Sequence, residues 1–235
     1  MLAFQNDWRH SRVSDTRKYH EIKAGPMYEK RFDEVQSFHE PGLAPARVGE
    51  RWFHILPDGS KAYCWEFNKV FGFYEGLATV FQDSDSYHIF IDGKPAYERR
   101  FVWCGNFQEG FCAVKQKGGR YRHILSDGRD AYKESYAYVG DFREGAAVVQ
   151  RNDGLHLHIG RDGEPINGRL FLDLGPFHKG KATARDCKGW FHINREGLAI
   201  YEMRFSAIEP YYNGISRVGL SNGSILTIDE QGRVQ

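Results

Sequence analysis

Residues Phe73–Gly93 read FYEGLATVFQDSDSYHIFIDG. Two short apolar runs are bounded by Gly, Asp and Ser, the pattern of strands joined by tight turns. The stretch decides the fold because it recurs. His88 has counterparts at His54, His123, His158 and His192, so the intervals along the chain are 34, 35, 35 and 34 residues. Thr227 takes the same slot 35 residues further on. Gly76 has counterparts at Gly42, Gly110, Gly145, Gly180 and Gly214. An aromatic pair keeps the same register at Tyr28–Phe32, Tyr63–Phe67, Tyr97–Phe101, Tyr132–Tyr136 and Tyr201–Phe205, with Asn167–Phe171 as a weak copy.

Each repeat carries three short runs separated by turns, which predicts three strands, A, B and C. Six units cover about 28–59, 63–93, 97–128, 132–163, 167–197 and 201–232. They form a single β-repeat domain over 19–235, behind an N-terminal extension, 1–18. A degenerate piece at 19–28, YHEIKAGPMY, precedes them, with His20 and Gly25 echoing the later phrase. Asp153–Gly154 and Asn222–Gly223 favour primed turns between B and C. Pro45, in the first B run, indicates an edge or irregular strand. One face of B is small and apolar throughout: Ala44, Ala78, Cys112, Ala147, Ala182 and Ser216, then Ala46, Val80, Val114, Val149, Ala184 and Val218. Cys112 simply fills an alanine slot. A three-stranded unit cannot bury its face alone, so the units must stack. The fold expected is all-β: a closed six-bladed propeller-like ring, or alternatively an open β superhelix.

The bulk numbers agree. Aromatics reach 15% and glycines number 26, a mixture that favours strands and turns. With 32 basic against 31 acidic residues, the chain lacks the positive field of a general nucleic-acid binder. The four cysteines, Cys64, Cys104, Cys112 and Cys187, form no CxxC pair. The N-terminus lacks the apolar core of a secretory signal, and no stretch is long enough to cross a membrane. The reading is a soluble cytoplasmic protein with reduced thiols and no membrane partner.

The phrases resemble those of the bacterial WG-repeat proteins. The first part matches at FYEGLATV (73–80), FQEGFCAV (107–114) and FREGAAVV (142–149). The second part matches at RWFHILPDG and GWFHINREG, with Trp52 and Trp190 in the Trp position. The resemblance spans roughly residues 19–235. Phe53 and Phe191 replace the glycine after Trp, and histidine replaces the usual aromatic, so the chain reads as a divergent subgroup. The resemblance implies a β-repeat architecture and an interaction role. It carries over no catalytic residue.

Several sets of residues are candidates for function. His54, His88, His123, His158 and His192 suit either a ring that binds a metal or anion, or a structural role repeated once per unit. A metal needs three or four ligands around one ion, so the structural role is favoured, with one ring nitrogen donating to a backbone carbonyl or turn Asp. Function belongs where repeats differ. Just before each A–B turn stand His39, Tyr74, Gln108, Arg143, His178 and Tyr212, which would line one rim and contact a protein or sugar. Trp103 and Tyr138 hold equivalent places in adjacent units and suit a stacking platform. Glu29–Arg31, Glu98–Arg100 and Glu202–Arg204 read as surface ion pairs. No nucleophile elbow, phosphate loop, zinc-protease or dinucleotide signature occurs, so no catalytic residue, metal ligand or cofactor is assigned. The expected function is non-catalytic: binding a protein partner, or the substrate of an associated enzyme, through the rim. A glycan- or small-molecule-binding propeller is the alternative. An enzyme with histidine or carboxylate chemistry in the channel is a third reading.

Overall fold

The computed structural model describes residues 8–235; residues 1–7 of the expected N-terminal extension lie outside the described residues. The described residues are all-β apart from one short 3-10 turn at Trp8–His10. Its strands form seven three-stranded sheets, each with strand order A-B-C along the chain. They are β1 (Arg12–Val13), β2 (His20–Ile22), β3 (Gly25–Pro26); β4 (Glu34–Val35), β5 (Ala44–Val48), β6 (Arg51–Ile55); and β7 (Lys69–Tyr74), β8 (Leu77–Gln82), β9 (Asp85–Ile89). The fourth and fifth are β10 (Trp103–Cys104), β11 (Cys112–Lys115), β12 (Tyr121–Ile124) and β13 (Tyr138–Val139), β14 (Ala147–Gln150), β15 (His156–Ile159). The last two are β16 (Asp173–Leu174), β17 (Ala182–Asp186), β18 (Gly189–Ile193) and β19 (Ala207–Ile208), β20 (Ile215–Gly219), β21 (Ile225–Asp229). Two compact parts are distinguishable among the described residues: 8–117 with Leu125–Arg129, and Gly118–Ile124 with Asp130–Gln235.

Each of the six expected units supplies one sheet, and the count is corrected to seven. The degenerate piece around His20 makes a further sheet with Arg12–Val13 as its first strand. Its pairing rests on backbone bonds, such as Ser14 N–H to the Tyr19 carbonyl at 3.0 Å and Met27 N–H to the His20 carbonyl at 3.0 Å. Backbone bonds leave no side-chain signature, so strands this short are hard to read from sequence.

The turns also correct the reading. Primed turns occur between A and B from Glu75 onward, and not at Asp153–Gly154 or Asn222–Gly223 between B and C. Glu75, Glu109 and Glu144 all have φ near +50°, and each is followed by a glycine with positive φ. Two successive positive φ values define the type I′ hairpin. In the B–C turn at 151–154 only Gly154 is left-handed, at φ +84°, and its N–H bonds the Arg151 carbonyl at 3.1 Å. That is a type I turn closed by a glycine bulge. The Asp153 carboxylate holds it by accepting from Leu155 N–H at 3.1 Å. Asn222 does the same for Ser224 at 3.0 Å, with Gly223 left-handed.

Pro45 lies in the central strand of its sheet, paired with His54, and not at an edge. On the β4 side, Gln36 N–H donates to the Pro45 carbonyl at 2.9 Å. The Gln36 carbonyl, which a residue at 45 would otherwise face with its N–H, accepts from His20 Nε2 at 2.8 Å. Proline therefore costs no ladder bond at this position.

The small B slots are buried as predicted: Ala44, Ala78, Ala46, Val80, Val114 and Val149 are all fully inaccessible. From β6 to β18, strand C is buried on both faces at its histidine–isoleucine pair. Ile55, Ile89, Ile124, Ile159, Ile193 and Ile228 occupy one face at 0% exposure, and the repeated histidines occupy the other. Cys112 is buried in its alanine slot, and burial pushes the Cys104 thiol up to about 12.

Candidate functional site

The repeated histidine is the most regular polar feature. In the first compact part, His20, His54 and His88 each place Nδ1 against a tyrosine Oη: Tyr28 at 2.6 Å, Tyr63 at 2.5 Å and Tyr97 at 2.5 Å. Each places Nε2 against a backbone carbonyl beyond its own sheet: Gln36 at 2.8 Å, Phe71 at 2.8 Å and Gly105 at 3.1 Å. In the second part, His123 binds Tyr132 Oη at 2.5 Å and the Gly140 carbonyl at 2.8 Å. His192 binds Tyr201 Oη at 2.6 Å and the Glu209 carbonyl at 3.0 Å.

A carbonyl only accepts, so Nε2 carries the proton and Nδ1 is the acceptor of the tyrosine hydroxyl. An aromatic ring covers each imidazole. Phe73, Phe107 and Phe142 lie 4.7 Å from His54, His88 and His123, and Tyr211 lies 4.0 Å from His192. Burial drives His54, His88, His123, His158 and His192 down to about 4. It raises Tyr28 and Tyr201 to about 12. The imidazoles are therefore neutral at pH 7. Each ties its sheet to the segment that opens the following one. The tyrosines were visible in the sequence only as a packing pair. Their near-constant offset, nine residues after the histidine from His54 onward, was the signal for the hydrogen bond.

His158 is the exception. Its Nε2 donates to the Gly175 carbonyl at 3.0 Å, but its buried Nδ1 has no partner. Asn167 stands where the tyrosine would be and turns its amide to the Arg195 carbonyl at 3.0 Å. A buried polar atom without a partner costs about 1–3 kcal/mol. Tyr63→Phe, which creates the same vacancy at His54, is expected to lower stability by about that amount. Asn167→Tyr is expected to raise it by about 1 kcal/mol. Urea denaturation of the two variants checks both signs; a gain in Tyr63→Phe would remove the argument.

Tyr74, Gln108, Arg143, His178 and Tyr212 directly precede I′ turns, whereas His39 precedes a three-residue turn, 40–42, that contains the cis Glu40–Pro41 bond. In the first part the rings of His39 and Tyr74 lie 4.9 Å apart, and Gln108 is half-buried beside its turn. His39 packs against Gly72, and burial lowers its pKa. In the second part Arg143 Nη2 donates to His178 Nδ1 at 2.9 Å, and Tyr212 is 75% exposed. The turn glutamates are structural. Glu75 accepts from Gly110 N–H at 2.8 Å, and Glu144 accepts from Lys179 N–H at 2.5 Å and Gly180 N–H at 2.8 Å. These bonds offset the strain of a non-glycine residue at positive φ. Each glutamate thus fixes the next turn, which holds the variable rim side chains in a set spacing.

Trp103 and Tyr138 sit on edge strands, 40% and 48% exposed. The Trp103 ring reaches back beside Gly105, and the Tyr138 ring is 5.8 Å from Tyr121. The expected Glu–Arg ion pairs are absent among the described residues. Arg31 Nη1 instead donates to the carbonyls of Tyr28, Glu29 and Lys30, and Arg100 repeats this with Tyr97, Glu98 and Arg99. The segment bends rather than extending as a strand, so three carbonyls converge on one guanidinium. Arg204 bonds the Glu202 and Met203 carbonyls and pairs with Asp186 at 2.8 Å.

The family model described as "WG containing repeat" matches residues 26–52 and 91–121. No curated protein sequence matches the chain. Among solved structures, the computationally designed protein Ika8 is similar with a TM-score of 0.53 at 10% identity, covering 92% of this chain and 78% of that one. BamB from Moraxella catarrhalis gives 0.52 at 10% identity, covering 90% and 76%. At such identity the likeness is one of fold: propeller-like tandem repeats. The repeat register and the succession of three-stranded sheets agree with the two family matches: the chain carries WG-type repeats at residues 26–52 and 91–121.

Proposed function

We propose that the protein is a non-catalytic interaction module whose A–B turns bind a protein partner or the substrate of an associated enzyme. One observation carries the reading. The repeated histidines, His158 Nδ1 excepted, are consumed by internal bonds, while the side chains on the A–B turns differ from sheet to sheet. His54, His88, His123 and His192 have both nitrogens engaged and are shielded from solvent, which leaves them poorly placed for acid–base chemistry. Tyr and Arg, which stand on these turns at Tyr74, Arg143 and Tyr212, are among the side chains that dominate protein recognition. No helix among the described residues is long and apolar enough to cross a membrane.

The test is affinity capture from a bacterial extract with two baits, the intact protein and a Tyr74→Ala/Arg143→Ala/Tyr212→Ala variant. A partner retained by the first and lost by the second, with equal thermal stability of both baits, is the expected result. Equal capture by both baits would move function away from these turns.

A further inference from the structure

The edge opposite these turns holds a second feature. Trp190 in β18 and Trp52 in β6 occupy the same repeat position, two residues before the histidine. Their surroundings differ. Trp52 is 5% exposed, and the Lys69 ammonium lies 3.3 Å from its ring centroid. The position equivalent to Lys69, seventeen residues after the tryptophan, is Ala207 in the last sheet. Trp190 is half-buried and has neither a cation nor a second ring against it among the described residues.

The indole instead lines an open cleft of about 590 Å³ with Arg185, Lys188, Arg204, Ser206 and Asn222. No acidic side chain lines this cleft. Arg204 is committed, through its ion pair with Asp186 and its position 3.7 Å over Phe191. Arg185 and Lys188 are not. The cross-strand neighbour of Arg185 is Asp173, as Glu34 is for Arg47. Glu34 approaches Arg47 at 3.7 Å, but the Asp173 carboxylate turns to Leu174 N–H at 2.8 Å. The Arg185 guanidinium and the Lys188 ammonium thus make no ion pair or side-chain hydrogen bond among the described residues. Ser206 Oγ donates to the Gly219 carbonyl at 2.9 Å, which leaves its lone pairs to accept. The Asn222 carbonyl oxygen holds Ser224 N–H, which leaves its amide protons to donate.

We propose that this cleft binds an acidic sugar: a pyranose ring carrying a carboxylate or a phosphate. The C–H face of the ring lies on the bare indole, and its hydroxyls meet Ser206 and Asn222. The anionic group goes to Arg185 and Lys188, whose charges have no internal partner. The site is separate from the variable turns, so the two readings stand or fall independently.

The probes are glucuronate, glucose 6-phosphate and neutral glucose, titrated by calorimetry into the intact protein at low salt. Binding of either acidic sugar at least about tenfold tighter than glucose is expected, weakening as salt rises. The stronger of the two anions identifies whether the site prefers carboxylate or phosphate. Arg185→Ala/Lys188→Ala, at two exposed positions, should weaken the acidic sugar by about tenfold or more while leaving thermal stability unchanged. Ala207→Lys should also weaken it, by supplying the cation that Lys69 places over Trp52. The proposal is overturned if neither acidic sugar binds, if glucose binds equally well, or if binding survives both variants.

Discussion

Acidification should unfold the protein between about pH 6 and pH 4.5. Five buried histidines are held down to about 4, against 6.5 for a free imidazole. Burial lowers His20 as well. In the unfolded chain these groups take up protons near pH 6.5, while in the fold they stay neutral until about 4. The unfolded state therefore binds more protons throughout this window, and stability falls as pH falls. Each group contributes at most about 1.36 kcal/mol per pH unit, so five contribute up to about 7. A domain with roughly 5–15 kcal/mol of stability cannot withstand two such units. Carboxylates held low by hydrogen bonds, such as Asp58 and Asp127, add their share only at still lower pH. Near-ultraviolet circular dichroism during a pH titration gives the midpoint. A native spectrum that persists to pH 4 would show that the imidazoles are not buried neutral.

Gly163→Ala should destabilise the fold far more than Gly154→Ala, although both glycines are left-handed at φ +85° and +84°. A left-handed alanine costs about 1–2 kcal/mol, and both variants bear that cost. At Gly154 the added methyl meets nothing within 4 Å. At Gly163 it would lie 2.5 Å from the Tyr132 ring stem. Tyr132 is buried, and its hydroxyl donates to His123 Nδ1, so displacing the ring also breaks the histidine bond. Overpacking adds about 1–3 kcal/mol, for a total loss of about 2–5 in Gly163→Ala against about 1–2 in Gly154→Ala. Urea denaturation measures the difference. Equal losses would mean that the tyrosine does not need contact with the turn backbone.

Much of the site was legible one residue at a time and illegible as pairs. The histidine interval showed a structural part used once per repeat, but not the tyrosine hydroxyl it accepts. Glu75 and Gly76 were visible as a turn, but not the bond from Glu75 to the turn thirty-five residues on. Arg31 and Glu29 looked like an ion pair because alternate strand residues share a face. The chain bends there, and the guanidinium takes the carbonyls instead. The open indole of Trp190 is a consequence of Ala207, a residue with no chemistry of its own.

The sequence by itself determined the period, the three-strand unit and the small buried face of strand B. These are local properties: turn residues, alternation and side-chain size act within a few positions of each other. Only the tertiary structure decided the number of sheets, the tautomer of the histidines and which cations remain unpaired. The reason is distance along the chain. The carbonyl that fixes each imidazole from His54 onward lies seventeen residues beyond it, past a turn and at the opening of another sheet, and stacking alone brings the two together.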